Sequence, residues 1–293
     1  MFTMIGSADS ADRYVKRLLM LKELDSIIDF SKASNQLVII LYLYSLERPI
    51  SIRELSKLTG YSRKSILDSI RKLEKKSLVV KREYNRELYV ELSPYGKQYM
   101  DTLLSVLEPE EETENKTLLK AATRLNVVNE LLLGLFLYRL IVFLGLSGKS
   151  ICNQENVVEI TGCDTKTAGI MIASFSQNPS RVFRLLDKKE GQKKLKLDKQ
   201  GYALLEKTPH YRAYMGSRVF RTLCRVFRTP WVAEISLRIN IVFATVYAVL
   251  VALTILRILP ILPLGIGLLA LVLALHIWLN TELSRITRKY KIF

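Results

Sequence analysis

Histidine and cysteine are scarce in this 293-residue chain, and their scarcity narrows its chemistry. The two histidines, His210 and His276, lie far apart, and Cys152, Cys163 and Cys224 form no C-x-x-C pair. Zinc sites need closely spaced Cys and His ligands, so no metal centre is expected. An odd cysteine count without framework spacing fits a reduced, intracellular setting. The sequence has no glycine-rich phosphate loop and no nucleophile paired with a base, so neither enzymatic activity nor a cofactor is expected. Its opening, "MFTMIGSADSADRYVKR", lacks a basic segment followed by an apolar core, and no cleaved signal is expected. Negative charge is also in deficit: 28 Asp and Glu face 44 Lys and Arg, a formal net charge of +16. Such an excess points to a polyanionic partner, either nucleic acid or lipid headgroups.

Charge is missing altogether from two long runs near the end. Ile239 to Leu256 carries no charged side chain, and Ile258 to Leu279 contains only His276 as a weakly basic group. Each is about long enough for a helix to cross roughly 30 Å of hydrocarbon. Pro260 and Pro263 interrupt the helical pattern between them, which predicts a tight hairpin of two spans over 232–257 and 262–280. Arg212, Arg218, Arg221, Arg225, Arg228 and Arg238 precede the pair, and Arg285, Arg288, Lys289 and Lys291 follow it. Only Arg257 lies between, so the positive-inside bias puts both termini in the cytoplasm. Trp231 and Trp278 would lie in the aromatic belt of that side.

Turn and cap signals divide the remainder. Gln36 to Leu46 reads as an apolar helix and Ile50 as a short strand. Ser51 caps a helix running to Leu58, with Glu54 completing a capping box. Thr59-Gly60-Tyr61 makes a turn, and Ser62 caps "RKSILDSIRKLEKK", with Ile66, Ile70 and Leu73 inward. Strands Leu78 to Glu83 and Glu87 to Leu92 flank Tyr84-Asn85-Arg86, and Ser93-Pro94 starts another helix. This is the element order of a winged helix-turn-helix domain. The stretches "ELSKLTGYSRKSILDSIRKLEKKSLVVKRE" and "LSPYGKQYMDTL" resemble the MarR/ArsR-like superfamily of transcription regulators. That resemblance implies that the helix begun at Ser62 enters the major groove, that the hairpin touches a neighbouring groove or the backbone, and that the protein is a dimer.

From the residues themselves, Arg63, Lys64, Ser65, Leu67, Asp68, Arg71, Lys72 and Lys75 form the outward face of that helix. Arg63 and Lys64 suit the two acceptors of guanine, and Ser65 stands beside them in base choice. Arg71 and Lys72, with the wing residues Lys81, Arg82 and Arg86, read as phosphate contacts, and Asn85 at the wing turn is grouped with them. Asp68 would repel phosphate unless it accepts from a cytosine amine or pairs with Lys64 or Lys72. A solvated charged face is the plain alternative to double-stranded DNA.

The same pattern returns after the acidic "EPEEETENK". Val127 to Leu146 reads as a core helix, because Arg139 interrupts it. Ile151 resembles the short strand, Asn153 caps "QENVVEIT", Gly162-Cys163 turns, and Asp164 caps "TKTAGIMIASF". Wing strands are expected at 182–186 and 195–197, and Leu197-Asp198-Lys199-Gln200-Gly201-Tyr202 repeats Leu92 to Lys97. The second would-be reading helix is poor in charge, which suits subunit or partner contact. Lys166 on that helix and Lys188, Lys189, Lys193 and Lys194 on its wing are secondary candidates for polyanion contact.

Two amphipathic helices complete the plan. Asp12 to Phe30 offers Val15, Leu18, Leu19, Leu24, Ile27 and Ile28 as a buried face. In "SRVFRTLCRVFRTPW" the doubled Arg-Val-Phe-Arg-Thr puts Arg218, Arg221, Arg225 and Arg228 on one face and Phe220, Leu223, Val226 and Phe227 opposite. Beside a span, this helix is expected to meet anionic lipid, with Phe220, Phe227 and Trp231 at the headgroup boundary. The expected fold is mainly α with small β-hairpin wings: tandem winged helix-turn-helix domains followed by a two-helix transmembrane hairpin. Residues 1–33 form the N-terminal helix, 34–107 the first winged domain, 108–120 an acidic linker and 121–210 the second domain. Residues 211–231 form the basic juxtamembrane helix, and 281–293 a basic cytoplasmic tail after the spans.

The architecture resembles membrane-bound one-component regulators of archaea, in particular the winged-helix activators of archaellum expression. It implies a transcription regulator that remains in the membrane while binding a promoter. The basic helix adds anionic lipid as a partner, and the short external hairpin leaves lipid state, another membrane protein, phosphorylation or a ligand of the cytoplasmic domains as the source of a signal. The rival is a membrane-attached winged-helix scaffold without sequence-specific regulation.

Overall fold

The computed structural model describes residues 8–25, 34–84, 86–107, 116–147, 151, 154–177, 181–187, 193–255, 262–290 and 292. The chain divides into two compact units, Met1–Ile141 with Ser150–Leu204, and Val142–Lys149 with Leu205–Phe293.

In the first unit, α1 (Ala8–Leu24) precedes α2 (Ser34–Leu46), β1 (Ile50–Ser51), α3 (Ile52–Thr59) and α4 (Arg63–Lys75). β2 (Val79–Tyr84), β3 (Glu87–Leu92) and α5 (Pro94–Ser105) follow. α2 is the central helix: Leu37, Val38, Ile39, Ile40 and Leu41 are all buried, as a helix apolar on every side must be. Ser51 Oγ accepts from the Glu54 N–H at 3.2 Å, but the Glu54 carboxylate turns to Arg48 (2.5 Å). Among the described residues only the Ser51 half of the capping box is formed. Ser62 caps α4 by accepting from the Ser65 N–H, and Ile66, Ile70 and Leu73 are fully buried beneath it. β3 is central in the sheet order β1-β3-β2, with Ile50 opposite Val90 and Val80 opposite Glu91.

The following elements repeat this order. α6 (Lys116–Leu146), an isolated bridge at Ile151, α7 (Gln154–Thr161) and α8 (Thr165–Phe175) lead to β4 (Phe183–Asp187), β5 (Lys193–Leu197) and α9 (Lys199–Glu206). Their local chemistry repeats as well. Gly60 and Gly162 both take left-handed backbone, at φ +70° and +74°. Thr59 Oγ1 donates to the Leu55 carbonyl and accepts from the Tyr61 N–H; Thr161 Oγ1 does the same with Val157 and Cys163. A Cβ on Gly96 would stand 2.0 Å from the Leu78 carbonyl oxygen, and one on Gly201 2.4 Å from that of Val182. Ile50 pairs with Val90 as Ile151 bridges Leu195.

Several boundaries and faces differ from expectation. α6 starts at Lys116, inside the segment read as linker, because "KTLLKAA" is made mostly of good helix formers. Residues 108–115 of that segment, Asn153 and the expected helix continuation over 26–30 lie outside the described residues. The buried face of α1 is Ala11, Tyr14, Val15, Leu18 and Leu21, whereas Leu24 is exposed. The shift follows from what α1 packs on. The Tyr14 carbonyl closes on Gly134 of α6, the Tyr14 ring meets Phe175 edge-on at 6.4 Å, and Arg13 and Arg17 pair with Glu130.

In the second unit α10 (Pro209–Gly216), α11 (Arg218–Phe227), α12 (Val232–Ile255) and α13 (Leu262–Tyr290) follow in turn. Phe220, Leu223 and Cys224 of α11 enter one core with Ile235, Ile239, Phe243, Leu283 and Ile286. α13 continues through residues 281–290, which were expected to be a tail beyond the helix. Pro263 lies in its first turn, where a missing N–H costs nothing; Pro260 lies outside the described residues. Among the described residues three helices are long and apolar enough to cross a membrane: Val127–Leu146, Val232–Leu253 and Gly267–Tyr290. Protein buries 78% of the first but 17% and 6% of the other two.

Candidate nucleic-acid interface

α4 carries exposed positive charge from its first turn to its last. Arg63, Lys64, Lys72 and Lys75 are exposed and form no ion pair among the described residues. They stay outward because Ile66, Ile70 and Leu73 at helical spacing bind the opposite face to the core. Leu67 is half-buried at the edge of the exposed face. Asp68 pairs with Arg71 at 3.4 Å, a partner the sequence reading had not named for it. Ser65 is half-buried, and its Oγ accepts from Asn35 Nδ2 at 3.0 Å. A residue grouped with base choice is therefore tied to the start of α2. Asn35 carried no sequence signal for this role, since α2 and α4 meet only in the fold.

The β2–β3 hairpin is more mixed in charge than its sequence suggested. Lys81 Nζ is 2.6 Å from Glu74, and Arg82 is 2.7 Å from Glu91. Arg86 is exposed at the hairpin turn, with left-handed backbone at φ 62°. Asn85 lies outside the described residues. On the outward face the pairs are Val80 with Glu91, Arg82 with Tyr89 and Tyr84 with Glu87. Two carboxylates offset the single arginine of these pairs.

The β4–β5 hairpin carries different charges at matching positions. Ile151 bridges Leu195 as Ile50 pairs with Val90, so Lys196 corresponds to Glu91 and its partner Arg184 to Val80. Arg184 and Lys196 are both exposed, and Lys194 is half-buried two residues along. None of the three forms an ion pair among the described residues. Like charges directly opposite destabilise a hairpin. The sequence reading missed Arg184 and Lys196 because only strand register puts them side by side. Lys193 opens β5, Lys166 is exposed in the first turn of α8, and Lys188 and Lys189 lie outside the described residues. α8 buries Ala168, Met171 and Phe175.

No family model matches the chain. Over 91 residues it is 44% identical to the HTH-type transcriptional activator ArnR of Sulfolobus acidocaldarius, a stretch covering 31% of this chain and 32% of that protein. Over 88 residues it is 40% identical to the HTH-type transcriptional activator ArnR1 of the same organism, covering 30% and 31%. The chain spans about a third of the length of the curated relatives it matches. Helix-turn-helix transcription regulators are thus among its relatives.

The side chains of α11 are engaged largely within the second unit. Phe220 is fully buried and Phe227 half-buried against the helical core. Neighbouring helices already remove these rings from water, whereas Val226 of the same expected face is 66% exposed. Arg221 donates from Nε to the Tyr214 carbonyl (3.2 Å) and from Nη2 to that of Met215 (2.8 Å), closing the end of α10. Arg225 Nε donates to Tyr214 Oη. Arg218 is exposed, and Arg228 leaves the arginine face because it adopts the left-handed cap at φ 52°. Trp231 is half-buried, edge-on to His210 at 5.4 Å. Burial pushes the Cys224 thiol up to about 12 and also raises Cys163, so neither thiol is poised as a nucleophile.

Proposed function

We propose that this protein is a membrane-anchored, DNA-binding transcription regulator of the one-component type. Its first winged helix-turn-helix domain, residues 34–107, reads promoter DNA through α4. The observation carrying this reading is the exposed, uncompensated cluster of Arg63, Lys64, Lys72 and Lys75 on one capped helix. The likeness to helix-turn-helix activators over about 90 residues supports it. Arg63 and Lys64 take base edges, while Lys72 and Lys75 hold phosphates. The second module is a diverged winged-helix domain whose basic hairpin adds phosphate contacts. Its charge-poor α8 serves the protein fold rather than base reading. The protein acts as a dimer and by binding, not by catalysis.

α12 and α13 form the membrane anchor, with both termini cytoplasmic. Their exposed apolar surface supports two spans, and the burial of Val127–Leu146 supports a core role for that third helix. Archaellum expression is the process the architecture suggests. Genome-wide mapping of DNA bound by the intact protein tests the central claim. Enrichment at a small set of promoters is the expected result. Recovery indistinguishable from bulk DNA would hand the role to the scaffold reading. A reporter after Phe293 should read cytoplasmic and one inserted near Pro260 external, and inverted signals would reverse the proposed topology.

A further inference from the structure

α11 was the obvious lipid-facing element of the sequence, yet its aromatic side is occupied and two of its arginines bind α10 and Tyr214. Beyond the exposed Arg218 of α11 and Arg228 at its cap, available charge of the second unit also lies on α13. A groove of about 340 Å³ runs between the first turns of α12 and the last turns of α13. Its apolar part comes from Val232 and Leu283, and its polar part includes Ser236, Asn280, Ser284 and Arg288. No carboxylate lines it. Ser236 Oγ donates to Asn280 Oδ1 at 3.1 Å, and Asn280 Nδ2 donates to Asn240 Oδ1 and the His276 carbonyl. These groups are spoken for. Arg288 and Ser284 are exposed and have no hydrogen-bond or ion-pair partner among the described residues. The neighbouring acids are engaged as well, Glu282 by Arg285 and Glu234 by Thr229 and Arg238.

We propose that this groove binds the phosphate of an anionic phospholipid headgroup, held by the Arg288 guanidinium and the Ser284 hydroxyl. The proposal rests on α12 and α13 being membrane spans. A guanidinium offers a forked donor set that matches phosphate oxygens, and the hydroxyl adds a third donor. Depth suits a lipid better than a free anion. Toward the apolar run, the two helices expose Leu237, Ile241, Ile277 and Trp278, the last being a side chain typical of the interface. Asn280 to Arg288 covers about 12 Å of helix at 1.5 Å per residue, and arginine side chains bend back along apolar surface to reach the interface. A headgroup in the groove therefore leaves its chains beside exposed aliphatic side chains.

The test uses the full-length protein in phosphatidylcholine nanodiscs containing a minor fraction of phosphatidylglycerol, with native mass spectrometry counting retained lipids. The intact protein should keep phosphatidylglycerol, and Arg288→Ala should lower that retention about tenfold. Ser284→Leu, which fills the groove without removing charge, should lower it too, while Arg288→Lys retains a part. Equal retention by all four proteins would overturn the groove, leaving the membrane reading intact. Failure of the protein to enter nanodiscs at all would overturn the membrane reading itself. Displacement of the lipid by millimolar inorganic phosphate, with phosphate bound in its place, would assign the groove to a free anion and refute the lipid.

Discussion

Arg184 stands directly opposite Lys196 across the β4–β5 ladder, where the first hairpin has Val80 opposite Glu91. Two exposed cations at one cross-strand pair make the hairpin less stable than it need be. Arg184→Glu should therefore act in opposite directions on fold and function. Stability, read as a urea midpoint, should rise by the equivalent of about 0.2–1 kcal/mol as a Glu–Lys pair forms. Affinity for duplex DNA should fall for every sequence alike, with a shallower salt dependence. Unchanged DNA affinity would remove this hairpin from the interface.

Base choice should reside at the start of α4. Arg63→Ala should relax preference at one base position, at about 1–3 kcal/mol, in a competition assay against a panel of single-base variants. Arg82→Ala should do much less, because Glu91 already holds that guanidinium at 2.7 Å. Glu91→Gln, which frees it, should strengthen binding to all sequences.

The repeated glycines give a stability test of the repeated packing. Gly96→Ala drives a Cβ to 2.0 Å from a backbone oxygen, and Gly201→Ala to 2.4 Å. Each should cost at least about 1–3 kcal/mol, since a backbone carbonyl cannot swing aside as a side chain can. Gly60→Ala meets open space and suffers only the left-handed backbone, a cost of about 1–2 kcal/mol. Thermal unfolding of the three variants should rank them in that order.

Phe220 separates core from membrane surface. Its ring is fully buried among α12 and α13 residues, so Phe220→Ala should destabilise the second unit by about 3–5 kcal/mol. Binding of the folded protein to anionic vesicles should change little. A variant of normal stability with weakened vesicle binding would return Phe220 to the lipid boundary.

Lys22 supplies a pH dependence. Burial, and then the neighbouring charge of Arg139, hold its ammonium well below the usual lysine value. Between that lowered value and the ordinary one the unfolded chain binds more protons, so stability rises with pH through this window. Below the lowered value both states are charged and the penalty is complete. Lys22→Met should raise the urea midpoint at pH 7 and flatten its rise toward pH 10. A steeper rise in the variant would contradict this origin.

Local signals were strong enough to place most elements. Ser51, Ser62, Ser93 and Asp164 each cap the helix that follows, because a short side-chain acceptor beside an apolar-periodic run has one favourable use. Gly60 and Gly162 mark turns because left-handed backbone suits a residue without Cβ. The uncharged runs of α12 and α13, and the outward cations of α4, were equally legible, since each depends on composition along one helix. What lay beyond the sequence were pairings between segments distant in the chain. Glu91 reaching Arg82, Asn35 reaching Ser65 and Arg184 meeting Lys196 depend on register and helix contact, to which local periodicity is blind. The doubled Arg-Val-Phe-Arg-Thr is the sharpest case. Its amphipathic pattern was written in the sequence, but an apolar face is satisfied equally by lipid or by neighbouring helices. Only the tertiary structure decided between them, placing Phe220 in a core with Ile235 and Leu283 and engaging Arg221 at the end of α10.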